Sequence, residues 1–354
     1  LSLKTDRPLK ALGILALAFV AFKLFVFFVD EPIEDKEFAA EFRAHYGVFA
    51  LNRPERLDFA GESVPLNDPE VYERYDRELL VNTYWQSNGL LLLKRSRRYF
   101  PTIERILKEE GVPEDFKYLA VVESGFMPVV SPAGAAGFWQ ILPETAKGYG
   151  LEVNDDIDER YHLEKSTRAA CQYLKEAKAK FGNWTLAAAS YNMGMGGLER
   201  QVQKQKSSDY YGLYLNNETS RYVFRMLAVK QIFEEPEAYG FRLRNKDYYQ
   251  PSRFRTVEVT APVADWVSYA LDQQVSYKAF KTQNPWIRNS SLTKAERTIY
   301  TVQIPLDPIE EEPEASEAEP STNPAAPLAP MESGADVPIE TDRASGSENV
   351  EKPR

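Results

Sequence analysis

The chain has 354 residues, 43% of them hydrophobic, and a formal net charge of −10, which is enough for one sizeable core and a smaller module. The charge is local: residues 306–354 hold thirteen Asp/Glu against three Lys/Arg, the remainder is close to neutral, and no basic stripe argues for a nucleic-acid partner. Two histidines (His45, His162) and one cysteine (Cys171) leave no material for a histidine triad, a Cys/His zinc site or an intrachain disulfide framework.

Residues 1–29 begin with Lys4, Arg7 and Lys10, followed by apolar runs over 11–22 and 24–29 separated by Lys23. Nineteen helical residues at about 1.5 Å each give roughly 28 Å, close to a bilayer core of about 30 Å. The basic flank predicts a cytoplasmic start, with residue 30 onward on the periplasmic side of an inner membrane spanned by residues 11–29. A secretory signal with residues 11–22 as its core is the competing reading, and both imply export. Residues 30–79 read as a proline-punctuated linker and a helical lead-in. From 68 to 94 the pattern is helical, with Val71, Tyr75, Leu79, Asn82 and Trp85 near one face. Ile103, Ile106 and Leu107 predict another short helix, ended by Gly111.

The next helix is the informative one. Pro113 suits its first position, Glu114 and Asp115 suit the positive end, Phe116, Leu119, Ala120 and Glu123 share a face, and Gly125 is the stop. A carboxyl in the last turn of an apolar helix is disfavoured as an anion by burial and by the negative end of the helix dipole, which suits it to general-acid work. A solvated glutamate is the competing reading of this helix alone. A glycine-rich, aromatic segment follows, Ser131-Pro132-Ala133-Gly134-Ala135-Ala136-Gly137-Phe138-Trp139-Gln140, and then helices are predicted over 143–149, 166–181, 184–192 (with Asn183 as cap) and 219–233. Past residue 239 the pattern changes to β-α-α-β, with strands over 255–259 and 299–304 and helices over 263–273 and 276–283. Residues 306–354, with eight prolines and no aromatic, read as a disordered acidic tail.

Glu123-Ser124, Gly137-Phe138-Trp139-Gln140 and Tyr191-Asn192-Met193-Gly194, with Glu218-Thr219-Ser220-Arg221-Tyr222-Val223 as a fourth element, resemble in order and spacing the motifs of the soluble-lytic-transglycosylase catalytic domain. Arg95-Ser96-Arg97-Arg98-Tyr99-Phe100-Pro101 upstream is similar to the membrane-bound murein transglycosylase D type. The resemblance covers about residues 80–245 and implies a mainly α, goose-type-lysozyme-like catalytic domain. Residues 246–305 resemble a degenerate LysM module in which Ala261-Pro262-Val263-Ala264 replaces the usual glycine-aspartate turn. Glycan binding by that module and bracing of the catalytic unit are the two readings of it.

The resemblance implies an enzyme acting on peptidoglycan glycan strands without a cofactor. Glu123 would protonate the bond between N-acetylmuramic acid and N-acetylglucosamine and then take a proton from the muramic C6 hydroxyl, leaving a 1,6-anhydro end. Gln140 and Asn192 would orient acetamido or hydroxyl groups, against helix capping as the plain alternative. Tyr191 and Tyr222 would offer a ring to sugar and a hydroxyl near the acid, against core packing. Ser124 and Ser131 would bond the carboxyl or substrate, against turn chemistry. Glu218 reads as an N-cap or structural partner, and Gly134 and Gly137 as sites of close backbone approach. A hydrolytic muramidase and a non-catalytic peptidoglycan-binding scaffold are the alternative functions.

Overall fold

The computed structural model describes residues 49–306, so the anchor expected over 11–29 and the acidic tail from 307 onward lie outside the described residues. Among the described residues no helix is long and apolar enough to cross a membrane. The fold is mainly α, followed by a small β-α-α-β unit.

The stretch expected as a linker packs from residue 57 onward. Strands β1 (Asp58–Phe59) and β2 (Glu62–Ser63) pair antiparallel through a two-residue turn in which Ala60 and Gly61 both take positive φ, the geometry that keeps a tight hairpin twisted correctly. Leu57, Phe59, Val64 and Leu66 enter the main core. Glu62 receives the backbone amides of Trp184 at 2.6 Å and Thr185 at 2.8 Å, so a hairpin side chain satisfies the open N-terminus of a helix far along the chain.

Helix α1 (Pro69–Tyr84) starts on the Asp68 cap and buries Val71, Tyr75 and Leu79. The helical pattern over 68–94 is not one helix, because it breaks at Trp85, which is 60% exposed and off the inner face. Helix α2 (Gln86–Glu110) then runs unbroken through Pro101 to the left-handed Gly111, so the short helix expected around Ile103 is its C-terminal half. Leu92, Leu93, Ser96, Ile103, Ile106 and Leu107 keep one buried stripe on both sides of the proline. Their packing outweighs the roughly 3 kcal/mol that an interior proline costs.

Pro113 precedes a 3-10 turn (Glu114–Phe116) instead of opening the α-helix, and α3 (Lys117–Ser124) follows, closed by Gly125 at φ 56°. Next come α4 (Pro143–Gly148), α5 (Leu163–Phe181), α6 (Trp184–Met193), α7 (Met195–Gln205) and α8 (Asn217–Glu234). Helix α7 has no counterpart among the sequence expectations: it begins immediately after Gly194, where the glycines of 194–197 suggest a loop. Helix α8 runs through the core, burying Tyr222, Val223, Phe224, Met226, Leu227 and Ala228 against α1, α3 and α6. The alanines at 187–189 let α6 and its neighbours approach closely.

In the C-terminal unit, β3 (Phe254–Thr260) and β4 (Ile299–Pro305) pair antiparallel around α9 (Trp266–Asp272) and α10 (Tyr277–Gln283). Helix α9 starts three residues later than expected, because Asp265 caps it through the amides of Val267 and Ser268. Trp266, Phe280, Trp286, Tyr300 and Val302 form a core that also contains Ala136, Ile157 and Tyr161 from the larger unit. The same interface carries buried acids. Asp156 accepts from Asn289 at 2.7 Å and from the amides of Thr293 and Lys294 at 2.7 and 2.8 Å. Glu152 accepts from the Tyr300 hydroxyl at 2.8 Å, and Glu159 pairs with Arg297. Burial alone would raise the Asp156 carboxyl, but its donors from Asn289, Lys294 and Thr293 outweigh that and hold it down at about 2.

Asp156→Asn is therefore expected to lower stability by about 2 kcal/mol, or roughly 4–8 °C of melting temperature, in calorimetry near neutral pH. The carboxyl lies below its ordinary 3.8 in the folded chain, so this contribution is present above pH about 4 and lost as pH falls toward 2. The gap between wild type and variant should close over that range.

Candidate active site

Glu123 sits in the last turn of α3, partly exposed, with Leu119, Ala120 and Val121 of the same helix buried. Its carboxyl accepts a hydrogen bond from the Tyr222 hydroxyl of α8. Burial pushes its pKa up to about 7, against the downward pull of the Tyr222 bond and of Arg225, and with a further push from the charge of Glu218. The group is thus poised to give and retake a proton near neutrality. Burial and the neighbouring Glu123 raise Tyr222 well above an ordinary phenol, so it stays a donor.

The glycine-rich segment folds back beside α3. Gly137 takes φ 78°, and a Cβ there would lie 1.9 Å from the Arg160 carbonyl oxygen, so only glycine fits. Gln140 also takes a positive φ, 46°, an uncommon backbone state for a residue with a side chain. Its amide nitrogen donates to the Val129 and Gly137 carbonyls at 3.0 and 2.9 Å, and among the described residues its amide oxygen receives no hydrogen bond. Phe138 and Trp139 do not wall the groove. Trp139 is fully buried with its indole N–H on Thr167 Oγ1 at 2.9 Å, and Phe138 packs at a tilt against Tyr99, which stacks on Phe126.

The two serines are engaged by backbone. Ser124 donates to the Phe138 carbonyl at 2.8 Å and accepts from the Phe126 amide, and Ser131 accepts from the Ala135 amide at 3.0 Å, so neither touches the Glu123 carboxyl. Of the two tyrosines, only Tyr222 reaches the acid. Tyr191 donates to the Trp139 carbonyl at 2.8 Å and packs edge-on against Tyr173. Asn192 bridges α6 to α8, accepting from Thr219 Oγ1 at 2.7 Å and donating to Glu218 at 2.9 Å. Glu218 is therefore a partner of Asn192 and not the cap, which is Asn216.

Gln140, Tyr191 and Asn192 line one cavity of about 230 Å³, together with Leu142, Tyr149, Tyr173 and Met193. Leu142 is also exposed, an apolar side chain at the cavity that is open to solvent. Leu142 and Tyr149 are cavity residues that the sequence does not single out. Their helical or turn context carries no signal that a cavity lies on that side.

Residues 100–213 match the Transglycosylase SLT domain family, and residues 255–308 match the soluble lytic transglycosylase C-terminal LysM-like domain family. Membrane-bound lytic murein transglycosylase D of Escherichia coli (strain K12) is 31% identical over 243 residues, covering 66% of this chain and 52% of that protein. A putative tributyltin chloride resistance protein of Alteromonas sp. (strain M-1) is 28% identical over 115 residues, 32% of this chain and 56% of that protein. Among solved structures, the 70-kDa soluble lytic transglycosylase of Escherichia coli aligns at 17% identity and a TM-score of 0.35, covering 60% of this chain and 42% of that one. The chain spans about half the length of the curated transglycosylase it matches. The chain thus carries an SLT domain followed by a LysM-like module and is homologous over 66% of its length to a membrane-bound lytic murein transglycosylase D.

The raised Glu123 pKa sets a sign that stability measurements can check. Between the ordinary value of 4.5 and about 7 the folded carboxyl keeps its proton while the unfolded one loses it, so stability falls as pH rises through that interval. Glu123→Gln, which can still accept from Tyr222, lacks this slope. By chemical denaturation it should match wild type near pH 4 and be more stable by about 3 kcal/mol at pH 8.

Proposed function

We propose that the chain is a peptidoglycan lytic transglycosylase that cleaves the β-1,4 bond from N-acetylmuramic acid to N-acetylglucosamine. The observation that carries this reading is the solitary Glu123 carboxyl, bonded to the Tyr222 hydroxyl and raised by burial to about 7, whose charge is felt by Tyr191 in the wall of a cavity lined by neutral amides and aromatic rings.

Glu123 donates its proton to the glycosidic oxygen as the bond to the muramic anomeric carbon breaks, releasing a free C4 hydroxyl on N-acetylglucosamine. The same carboxylate then removes the proton of the muramic C6 hydroxyl, whose oxygen bonds to the anomeric carbon, and the carboxyl returns to its starting state. No water is added. Glycosidases generally pair two carboxylates, the second acting as nucleophile or as base for water. Here the acidic neighbour that acts on Glu123 is Glu218, exposed and bonded to Asn192, and this favours the one-carboxyl route over the hydrolytic muramidase. The substrate acetamido group shields the cationic centre in place of a second side chain. Gln140 offers its amide oxygen to an acetamido or hydroxyl donor, Tyr191 and Asn192 line the sugar groove, and Tyr222 holds the acid in place. Ser124 and Ser131 support the site by shaping its turns. With residues 11–29 as an inner-membrane anchor, the domain faces the periplasmic glycan strands.

Mass spectrometry of sacculus digests is expected to show 1,6-anhydromuramic ends, and Glu123→Gln should reduce release about a thousandfold. Reducing ends would favour the hydrolytic reading, and equal release by the two proteins would favour a scaffold.

The reactive form is the protonated acid, so kcat/KM should fall as pH rises through about 7. The Tyr222 bond lowers the Glu123 pKa, so Tyr222→Phe should move that limb to higher pH and cut kcat about tenfold in the same release assay. An unmoved limb would separate Tyr222 from the acid.

A further inference from the structure

We propose that Arg160 is a positioning residue through which the C-terminal module holds the Gly134 to Ile141 segment, and with it Gln140, in register with the Glu123 helix. The proposal rests on the reading of Gln140 as a substrate contact given above.

Arg160 is 7% exposed, and a buried arginine needs partners for every face of its guanidinium. Two come from Asp158: Nε lies 2.9 Å from Oδ1 and Nη2 lies 2.7 Å from Oδ2, a bidentate pair. The remaining Nη1 donates to the Gly134 carbonyl at 2.8 Å and to the Ile141 carbonyl at 3.1 Å. One nitrogen thus staples the two ends of the segment that carries Gln140. Arg160's own carbonyl supports the middle, packed under Gly137 where no Cβ fits. On its other side the segment is tied to the acid helix by Ser124 on the Phe138 carbonyl and to the groove wall by Tyr191 on the Trp139 carbonyl.

The arginine is in turn fixed by the C-terminal module. Asp158 donates its amide to the Trp286 carbonyl at 2.8 Å, Ile157 bridges antiparallel to Ile287, and the Arg288 amide donates to the Asp156 carbonyl at 2.7 Å. The Arg288 guanidinium lies 4.4 Å over the Tyr161 ring, next to Arg160 in sequence. Ala136, from the glycine-rich segment itself, is part of the module's core. A continuous chain of contacts therefore runs from the module through Asp158 and Arg160 to Gln140. Lysine cannot reproduce it, since a single ammonium lacks the planar fork that reaches Asp158 and both carbonyls together.

The test is a double-mutant cycle on the full chain with Arg160→Lys and Gln140→Ala, following total glycan fragments released from sacculi whatever their end chemistry. Arg160→Lys should lower kcat about tenfold with KM within about twofold in the wild-type background, and cost less than about twofold when Gln140 is already alanine. A loss of equal size in both backgrounds, or wild-type kcat in the single variant, overturns the proposal. If Arg160→Lys is poorly folded by circular dichroism, Asp158→Asn enters the same cycle, keeping the guanidinium while loosening its mooring. Reducing ends from the wild type would count against the transglycosylase reading and leave the cycle interpretable. If the wild type releases nothing, the cycle is run on the affinity of a soluble glycan fragment, where independent losses overturn the proposal.

Discussion

A single carboxyl largely stripped of water but never given a cation as close partner is the constraint around which this molecule is arranged. Glu123 ends an apolar helix whose preceding residues are sealed in the core, and its hydrogen bond comes from a neutral phenol on α8. A lysine or arginine in that place would drive the carboxyl to its anion and remove the acid. Arg225 acts only as a weaker, opposing influence, and burial wins. The groove beside the acid follows the same rule: Gln140, Asn192 and Tyr191 supply donors, acceptors and a ring without adding charge.

Holding that carboxyl requires several elements distant in sequence to meet. Helix α8 carries Tyr222 and, at its N-terminus, Thr219 and Glu218, which grip Asn192 at the end of α6. The hairpin of residues 58–63 sends Glu62 to the other end of α6, so both ends of that helix are fixed by polar side chains from elsewhere. The C-terminal module is built into this arrangement, since its core includes residues of the larger unit and its interface is lined by acids that all find donors. Buried acids of this kind add little net stability when satisfied and cost a great deal when one partner is lost, so they fix geometry more than they add stability.

The parts of this arrangement that were legible in the sequence are those written in local signals. The end of the Glu123 helix is written in Gly125, and the β-α-α-β unit shows its change of period directly. The break at Trp85 was not legible, because the apolar spacing runs through it, and the continuity across Pro101 was hidden by a residue that usually ends helices. Residues 57–66 are too short and too mixed to announce that they reach the core. At the site, sequence supplied Tyr191 and Tyr222 as equals; only the crossing of α3 by α8 brings one of them to the acid and leaves the other on a backbone carbonyl. Arg160 gave no signal, because the groups it holds in the glycine-rich segment are carbonyl oxygens, which every residue has.

The most direct measurement is the titration of the Glu123 carboxyl itself, followed as its side-chain ¹³C shift in the full chain with labelled glutamate and assigned by comparison with Glu123→Gln. A midpoint near 7 is the predicted result. A midpoint near the ordinary 4.5 would mean that the carboxyl is solvated and ionised at working pH, and would contradict the proposal that it donates the proton.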